Sequence, residues 1–236
     1  MKKTYSQTFD ELYKDLFSEW TRRNRREVDR LSKSIREKLE NGKKLTKDEN
    51  DLYHKVQMYC ERQSFTQEHI SEILKAISDT EHVAGCYAKD PSKQNISEAA
   101  QKKHMELRGC ELEKLPPSGK NSLRFCPKNK TLVSKKVEGN TSRSFDYFRK
   151  YGQTVEYFLG KVCWGQGGHQ NSVKDEIVKF LKSANEFLEN NPEDLSKVFT
   201  VLVDGDAITE NDLKEYRKYT NSRVRIFNSD EYVPFS

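Results

Sequence analysis

Apolar side chains at Tyr5, Phe9, Leu12, Leu16 and Trp20, then Val28, Leu31, Ile35 and Leu39, recur at steps of three and four, the period of one helix face. That spacing predicts a long amphipathic helix over residues 5–39, closed by Asn41-Gly42, which tolerates the left-handed cap conformation. Thr46 with Glu49 spells a capping box ahead of a second helix carrying Leu52, Val56 and Tyr59. Ser64 with Gln67 has the same form ahead of a third, carrying Ile70, Ile73, Leu74 and Ile77. The polar interval AKDPSKQN leads to a further helix over about Ile96 to Leu112, and PPSGKN ends it, because proline cannot continue a helix. A domain boundary is expected there, with a helical region over 1–115 and an α/β core over 116–236.

Beyond that boundary the pattern changes to short runs rich in β-formers. SLRF, TLVSKKV and SRSFDYF read as short strands and TVEYFLGKVCW as a longer one, with the turn RKYGQ between the last two. A helix then runs from about Ser172 to Glu189, followed by the strand VFTVLV into Asp204-Gly205, a helix opened by Thr209 and Asp212, and the strand RVRIF. This alternation predicts a mixed sheet flanked by helices, since a crossover helix must cover the face between neighbouring parallel strands. Asp204-Gly205-Asp206 reads as a turn at a strand end rather than a metal site. Trp20 and Trp164 read as core residues.

Composition narrows the function classes. The 236 residues are 34% hydrophobic, 33% charged and 11% aromatic, which points to a very polar but folded protein. Forty-two Lys and Arg against 37 Asp and Glu give a formal charge of +5, a bias that suits a polyanionic partner. No apolar run is long enough to span a bilayer and MKKTYSQTFDELYK lacks a secretory apolar stretch, so no membrane association and a cytoplasmic location are expected. Cys60, Cys86, Cys110, Cys126 and Cys163 form an odd set without CxxC or paired His spacing, which predicts reduced thiols.

The chemistry concentrates in SRSFDYFRKYGQTVEYFLGKVCWGQGGHQ. Asp146 is expected to end one strand and Lys161 to sit on the returning one, so that a hairpin brings a carboxylate and an ammonium together. Phosphodiester hydrolysis needs that pair: an acid to hold Mg²⁺ at the scissile phosphate and a cation to offset the charge that develops as water attacks. Ser144-Phe145-Asp146-Tyr147, then Lys161, then Gly167-Gly168 with Gln170, followed by the KFLKSANEF helix and the VLVDGD strand, resembles the PD-(D/E)XK nuclease superfamily, and within it type II restriction endonucleases. The resemblance spans roughly Asn121 to Val233.

That resemblance implies a restriction-endonuclease-like mixed β-sheet core flanked by helices, with a mostly helical N-terminal region. It implies a Mg²⁺-dependent deoxyribonuclease that cuts double-stranded DNA at a short specific sequence and leaves 5′-phosphate ends. A homodimer is expected, its two-fold axis matching that of a palindromic site. Asp146 becomes a metal ligand, and Lys161 the residue that orients or polarises the attacking water. The acid expected two positions before the lysine is Leu159 here. Glu156 is one substitute, though its odd separation from Lys161 points it to the other face of the strand unless a bulge at Gly160 restores the phase. Glu176, Gln166 and Gln170 are rival suppliers of the missing oxygen.

For DNA contact, Gly167 and Gly168 permit close backbone approach. Gln170 and Asn171 carry amides that pair bidentately with adenine, and His169 suits a phosphate or base edge. Arg143, Arg149 and Lys150 around the hairpin would position backbone phosphates, and the TRRNRRE cluster is either a solvated helix face or a further phosphate contact. Two other readings stand beside this one. One is a repair or structure-specific nuclease without sequence readout, and the other a non-catalytic nucleic-acid-binding protein on a nuclease-like fold.

Overall fold

A computed structural model of the chain describes residues 7–126, 128–134, 143–165 and 169–234, with the side chains of His169 and Gln170 outside the description. The protein is mixed α/β, and two compact units carry it: Lys14–Ile96, and Met1–Tyr13 together with Ser97–Ser236. The division falls at 96/97 rather than at the expected 115/116. The reason is α5, Ile96–Leu107, whose Met105 packs with Tyr147, Phe158 and Leu202 of the sheet rather than with the other helices. The start of α1, Phe9–Glu40, joins the sheet-bearing unit as well, because buried Phe9 stacks 6.2 Å from Trp164 and its N–H lies 3.2 Å from an Asp230 carboxylate oxygen.

In the helical unit, α1 continues to Glu40 and Gly42 follows at φ +61°, the left-handed cap that its sequence offers. The α2 helix, Lys47–Arg62, starts at the expected capping box, with both reciprocal Thr46–Glu49 hydrogen bonds present. The α3 helix, Glu68–Asp79, does not start at Ser64; that residue sits at φ 55° just after α2, and Gln67 caps without a side-chain bond. A short α4, Glu81–Tyr87, has no counterpart in the hydrophobic pattern. Its Gly85 lowers helix propensity but leaves room for the Arg25 guanidinium, whose Nε stands 3.3 Å from where a Cβ would be. Val28, Leu31, Ile35, Leu52, Val56, Ile70, Leu74 and Ile77 form the core of this unit.

The other unit is built on a five-stranded sheet of order β1-β4-β5-β6-β7. Its members are β1 (Glu113–Lys114), β4 (Tyr147–Tyr151), β5 (Thr154–Val162), β6 (Lys197–Asp204) and β7 (Val224–Phe227). A separate hairpin pairs β2 (Arg124–Cys126) with β3 (Thr131–Val133). Neighbours β1–β4 and β4–β5 are antiparallel, while β5–β6 and β6–β7 are parallel. The crossovers are helical, through α6 (His169–Asn190) and α7 (Glu210–Arg217), and α7 opens at the expected Thr209–Asp212 box. One sheet face carries Tyr157, Leu159, Phe199, Val201 and Val203 against Ile177, Phe180, Leu181 and Ala184 of α6. The other carries Tyr147, Phe158 and Leu202 with Met105 of α5 and Tyr232. No helix among the described residues is long and apolar enough to cross a membrane. The five cysteines are free thiols, four of them buried.

Candidate active site

The β4–β5 hairpin turns at Gly152, whose φ of +56° the reversal requires. From there β4 pairs with β5 only as far as Tyr147↔Phe158, whereas β5 continues to Val162 alongside β6. Asp146 therefore precedes β4 rather than ending a strand, and it occupies the fork where the two strands part. Its backbone still holds the sheet, donating to Phe158 O and accepting from Leu115 N, both at 2.9 Å. One residue earlier the chain has left, with Phe145 N bonded to Leu123 O at 2.8 Å. The next β5 donor, Gly160 N–H, is taken by the Asp146 side chain, through Oδ2 at 2.9 Å.

Gly160 itself makes room for a different neighbour, Gln101, on the other side of the strand. A Cβ there would stand 2.2 Å from Gln101 Oε1 and 3.1 Å from Tyr147 Cε2. Gln101, buried on α5, is itself held by hydrogen bonds to Leu202 O at 3.3 Å and to Asp204 Oδ2 at 2.6 Å. The glycine marks no bulge; its signal is the other one an isolated strand glycine often carries, close approach of another group. Gln101 carried no signal in the sequence.

Lys161 is next along β5, on the α6 face, with a side chain only 6% exposed. A buried ammonium is costly unless paired. The partner is Glu176 Oε2, which also lies 3.3 Å from Arg143 Nη1. The helix places it: Ile177, Phe180 and Leu181 seat α6 on the sheet, so Glu176, beside Ile177, reaches the end of β5. Burial pushes the Glu176 carboxyl upward, but the Lys161 hydrogen bond and the two cations outweigh it and the net shift is down. Asp146 moves the other way. Burial raises its carboxyl above the usual range, and the Gly160 N–H, Lys161 and Arg143 offset only part of that.

The bulge that would have brought Glu156 into this cluster is absent, because β5 pairs with β6 residue for residue from Val155 to Val162. Glu156 thus lies on the opposite sheet face, buried and fully engaged with Thr200 Oγ1 at 2.5 Å, Tyr232 OH at 2.7 Å and Arg225 Nη1 at 3.5 Å. It leaves the catalytic and metal-ligand set. Arg149, opposite Glu156 in the register, goes with it, donating to Tyr232 OH at 3.1 Å and Cys110 Sγ at 3.3 Å rather than facing a DNA strand beside Lys161. Lys150 is exposed near the hairpin turn, away from Asp146.

Gln166, Gly167 and Gly168 lie outside the described residues. His169, Gln170 and Asn171 form the first turn of α6 rather than a loop, and Asn171 is exposed. Asp204 and Asp206 are structural, as the turn reading has it. Gly205 has φ +91°, Asp206 Oδ1 accepts from Gly165 N at 2.6 Å, and Asp204 accepts from Ser229 N at 2.8 Å and Ser229 Oγ at 2.6 Å.

Asp146 and Glu176 together offer hard carboxylate oxygens at one lysine. Asp146 Oδ2 is anchored, while Oδ1 takes no hydrogen bond among the described residues. That donor set fits Mg²⁺, which is commonly held by one or two carboxylates with substrate phosphate and water completing its shell. Among the described residues no group of three or more His, Cys, Asp or Glu is arranged to hold a metal by itself. Fold and site thus define a mixed α/β protein with a two-carboxylate, one-lysine cluster at a strand fork. No protein-family model, no curated protein and no solved structure gives a significant match to the chain.

Proposed function

We propose that the chain is a Mg²⁺-dependent endonuclease acting on double-stranded DNA, a type II restriction endonuclease resembling the PD-(D/E)XK superfamily. The observation that carries this reading is the ion pair of buried Lys161 with Glu176 next to Asp146, whose carboxylate accepts from the N–H of Gly160, the residue before Lys161. Glu176 supplies the acid that Leu159 cannot, since Leu159 is 2% exposed and packs in the core beneath α6.

Asp146 and Glu176 would hold the ion, which when bound supplies Lewis-acid activation at the scissile phosphate. The strand fork fixes the Asp146 carboxylate through the Gly160 N–H, so little reorganisation is needed when substrate arrives. Lys161 keeps its proton at Nζ and offsets negative charge that develops as water attacks. Arg143, 55% exposed at its side chain, holds a neighbouring phosphate. Asn171, with His169 and Gln170 in the same helical turn, belongs to base readout. Two such centres in a homodimer on a palindromic site cut both strands and leave 5′-phosphate ends.

The test is digestion of a long DNA of defined sequence by the purified protein, with Mg²⁺ and with chelator, followed by mapping of the ends. Discrete Mg²⁺-dependent bands with 5′-phosphate ends are expected, and a smear points instead to a nuclease without sequence readout. Glu176→Gln should lose turnover and keep DNA binding. An uncut substrate, or full turnover by Glu176→Gln, overturns the assignment.

A further inference from the structure

Arg22, Arg23 and Arg26 are exposed on α1, in the helical unit. The helix buries Val28, Leu31 and Ile35, while Arg22 and Arg26 lie at the rim of a concavity shared with Arg25, Asp29, Asp79 and Glu81. Their neighbours on α1 are neutralised locally. Arg25 Nη1 lies 3.1 Å from Glu81, Arg30 Nη2 lies 2.6 Å from Glu27, and Lys33 Nζ lies 2.9 Å from Asp29. Those pairs use up the carboxylates one turn beyond Arg23 and Arg26. Among the described residues no carboxylate is within 4.0 Å of the guanidinium nitrogens of Arg22, Arg23 or Arg26.

A solvated helix face alternates its charges, as α1 does from Glu27 to Lys33. The segment before it does the reverse. Arg22 and Arg26 stand one turn apart, a pair of like charges that weakens a helix. Arg23 is restrained without being neutralised, its Cζ 4.8 Å from the centre of the Trp20 ring.

We infer that Arg22, Arg23 and Arg26 form a second DNA-contacting surface, which binds backbone phosphates of the duplex without reading its sequence. Guanidiniums present planar donor forks that suit phosphate oxygens, and a contact confined to phosphates is sequence-independent. The identity of the polyanion rests on the nuclease reading, whereas the unneutralised stripe does not.

The experiment is equilibrium binding of the full chain to a short fluorescent duplex in chelator, where no cleavage occurs, over a series of salt concentrations. The triple variant Arg22→Gln/Arg23→Gln/Arg26→Gln should keep its helical content and unfolding midpoint. Its slope of log K against log salt should be shallower by about 2–3, one phosphate contact per arginine. Lys33→Gln, at a matched cation, should leave that slope unchanged. A folded triple variant with the wild-type slope overturns the inference even where the wild type cuts DNA with Mg²⁺. A lost slope in a protein that never cuts supports the stripe and removes the nuclease reading instead. Wild-type protein that ignores the duplex at low salt, or binds only anionic vesicles through these arginines, overturns it as well.

Discussion

The two faces of β5 each hold a buried charge, and they use it differently. On the α5 side Glu156 is enclosed by Thr200, Tyr232 and Arg225, and Asp204 by Ser229 and Gln101, every partner belonging to the same unit and facing inward. On the α6 side Lys161 has Glu176, which is 37% exposed at its side chain and shared with the exposed Arg143. A closed network fixes the fold, because removing one member strands the others. An open one, ending in groups that reach solvent, leaves room for a ligand to replace a partner. Glu156 and Lys161 stand five positions apart on one strand, and the odd spacing alone assigns them to these different lives.

The strongest way to break this comparison is to swap the expected outcomes of the two charges. Lys161→Ala should lower Mg²⁺-dependent cleavage on the order of a thousandfold, with little change in stability because Glu176 remains half-exposed beside Arg143. Glu156→Gln should do the reverse, costing about 3 kcal/mol of unfolding free energy by leaving the Arg225 guanidinium without its carboxylate. Its turnover, measured where it is fully folded, should match wild type. Denaturant unfolding and a cleavage assay on both proteins separate the two, and a Glu156→Gln protein that is stable but inactive would erase the distinction between the faces.

Much of this was legible from the sequence, and the exceptions have a common cause. Features set within a few residues came through: the capping boxes at Thr46 and Thr209, the strand over Thr154–Val162, and the parity that set Glu156 against Lys161. Features set by distant partners did not. Ser64 looks like a helix cap but closes the preceding helix, Leu112 falls beyond α5 because Gly109 at φ +81° ends it, and α5 belongs with the sheet only through contacts such as Met105 on Phe158. Glu176 stood among several candidate acids, and nothing short of α6 docking on the sheet selects it. Gln101, which occupies the space over Gly160, lies 2.6 Å from Asp204, a contact no local pattern encodes.

A pH series sharpens the comparison next. Burial pushes the Asp204 carboxyl up to about 6 from 3.8, more than its hydrogen bonds from Ser229 and Gln101 pull it down. The folded protein then holds that proton after the unfolded chain has released it, so the contribution of Asp204 to stability is fully present below about 4 and is lost as pH rises to about 6. The difference between those two proton affinities corresponds to about 3 kcal/mol lost across that window. Asp204→Asn should flatten this part of the unfolding free-energy curve. On the α6 face the raised Asp146 carboxyl should instead appear in metal binding, as a proton that competes with Mg²⁺ above the ordinary aspartate range and that Asp204→Asn leaves in place.

The smallest expected effect separates two arginines that sequence alone treats alike. Arg143 shares Glu176 with Lys161 at 3.3 Å, whereas Arg149 is turned to Tyr232 and Cys110 behind the sheet. Losing Arg143 removes one exposed cation beside the cluster while Lys161 still holds Glu176, so Arg143→Ala should lower kcat/KM by no more than about tenfold, roughly 1.4 kcal/mol, and the loss should shrink as salt is added. Arg149→Ala should leave kcat/KM unchanged and lower stability by about 1 kcal/mol, the worth of its hydrogen bonds within the α5-side network. Equal losses of turnover from both would mean that DNA reaches both faces of the hairpin. The assignment of closed and open sides would then have to give way to a substrate that wraps the edge of the sheet.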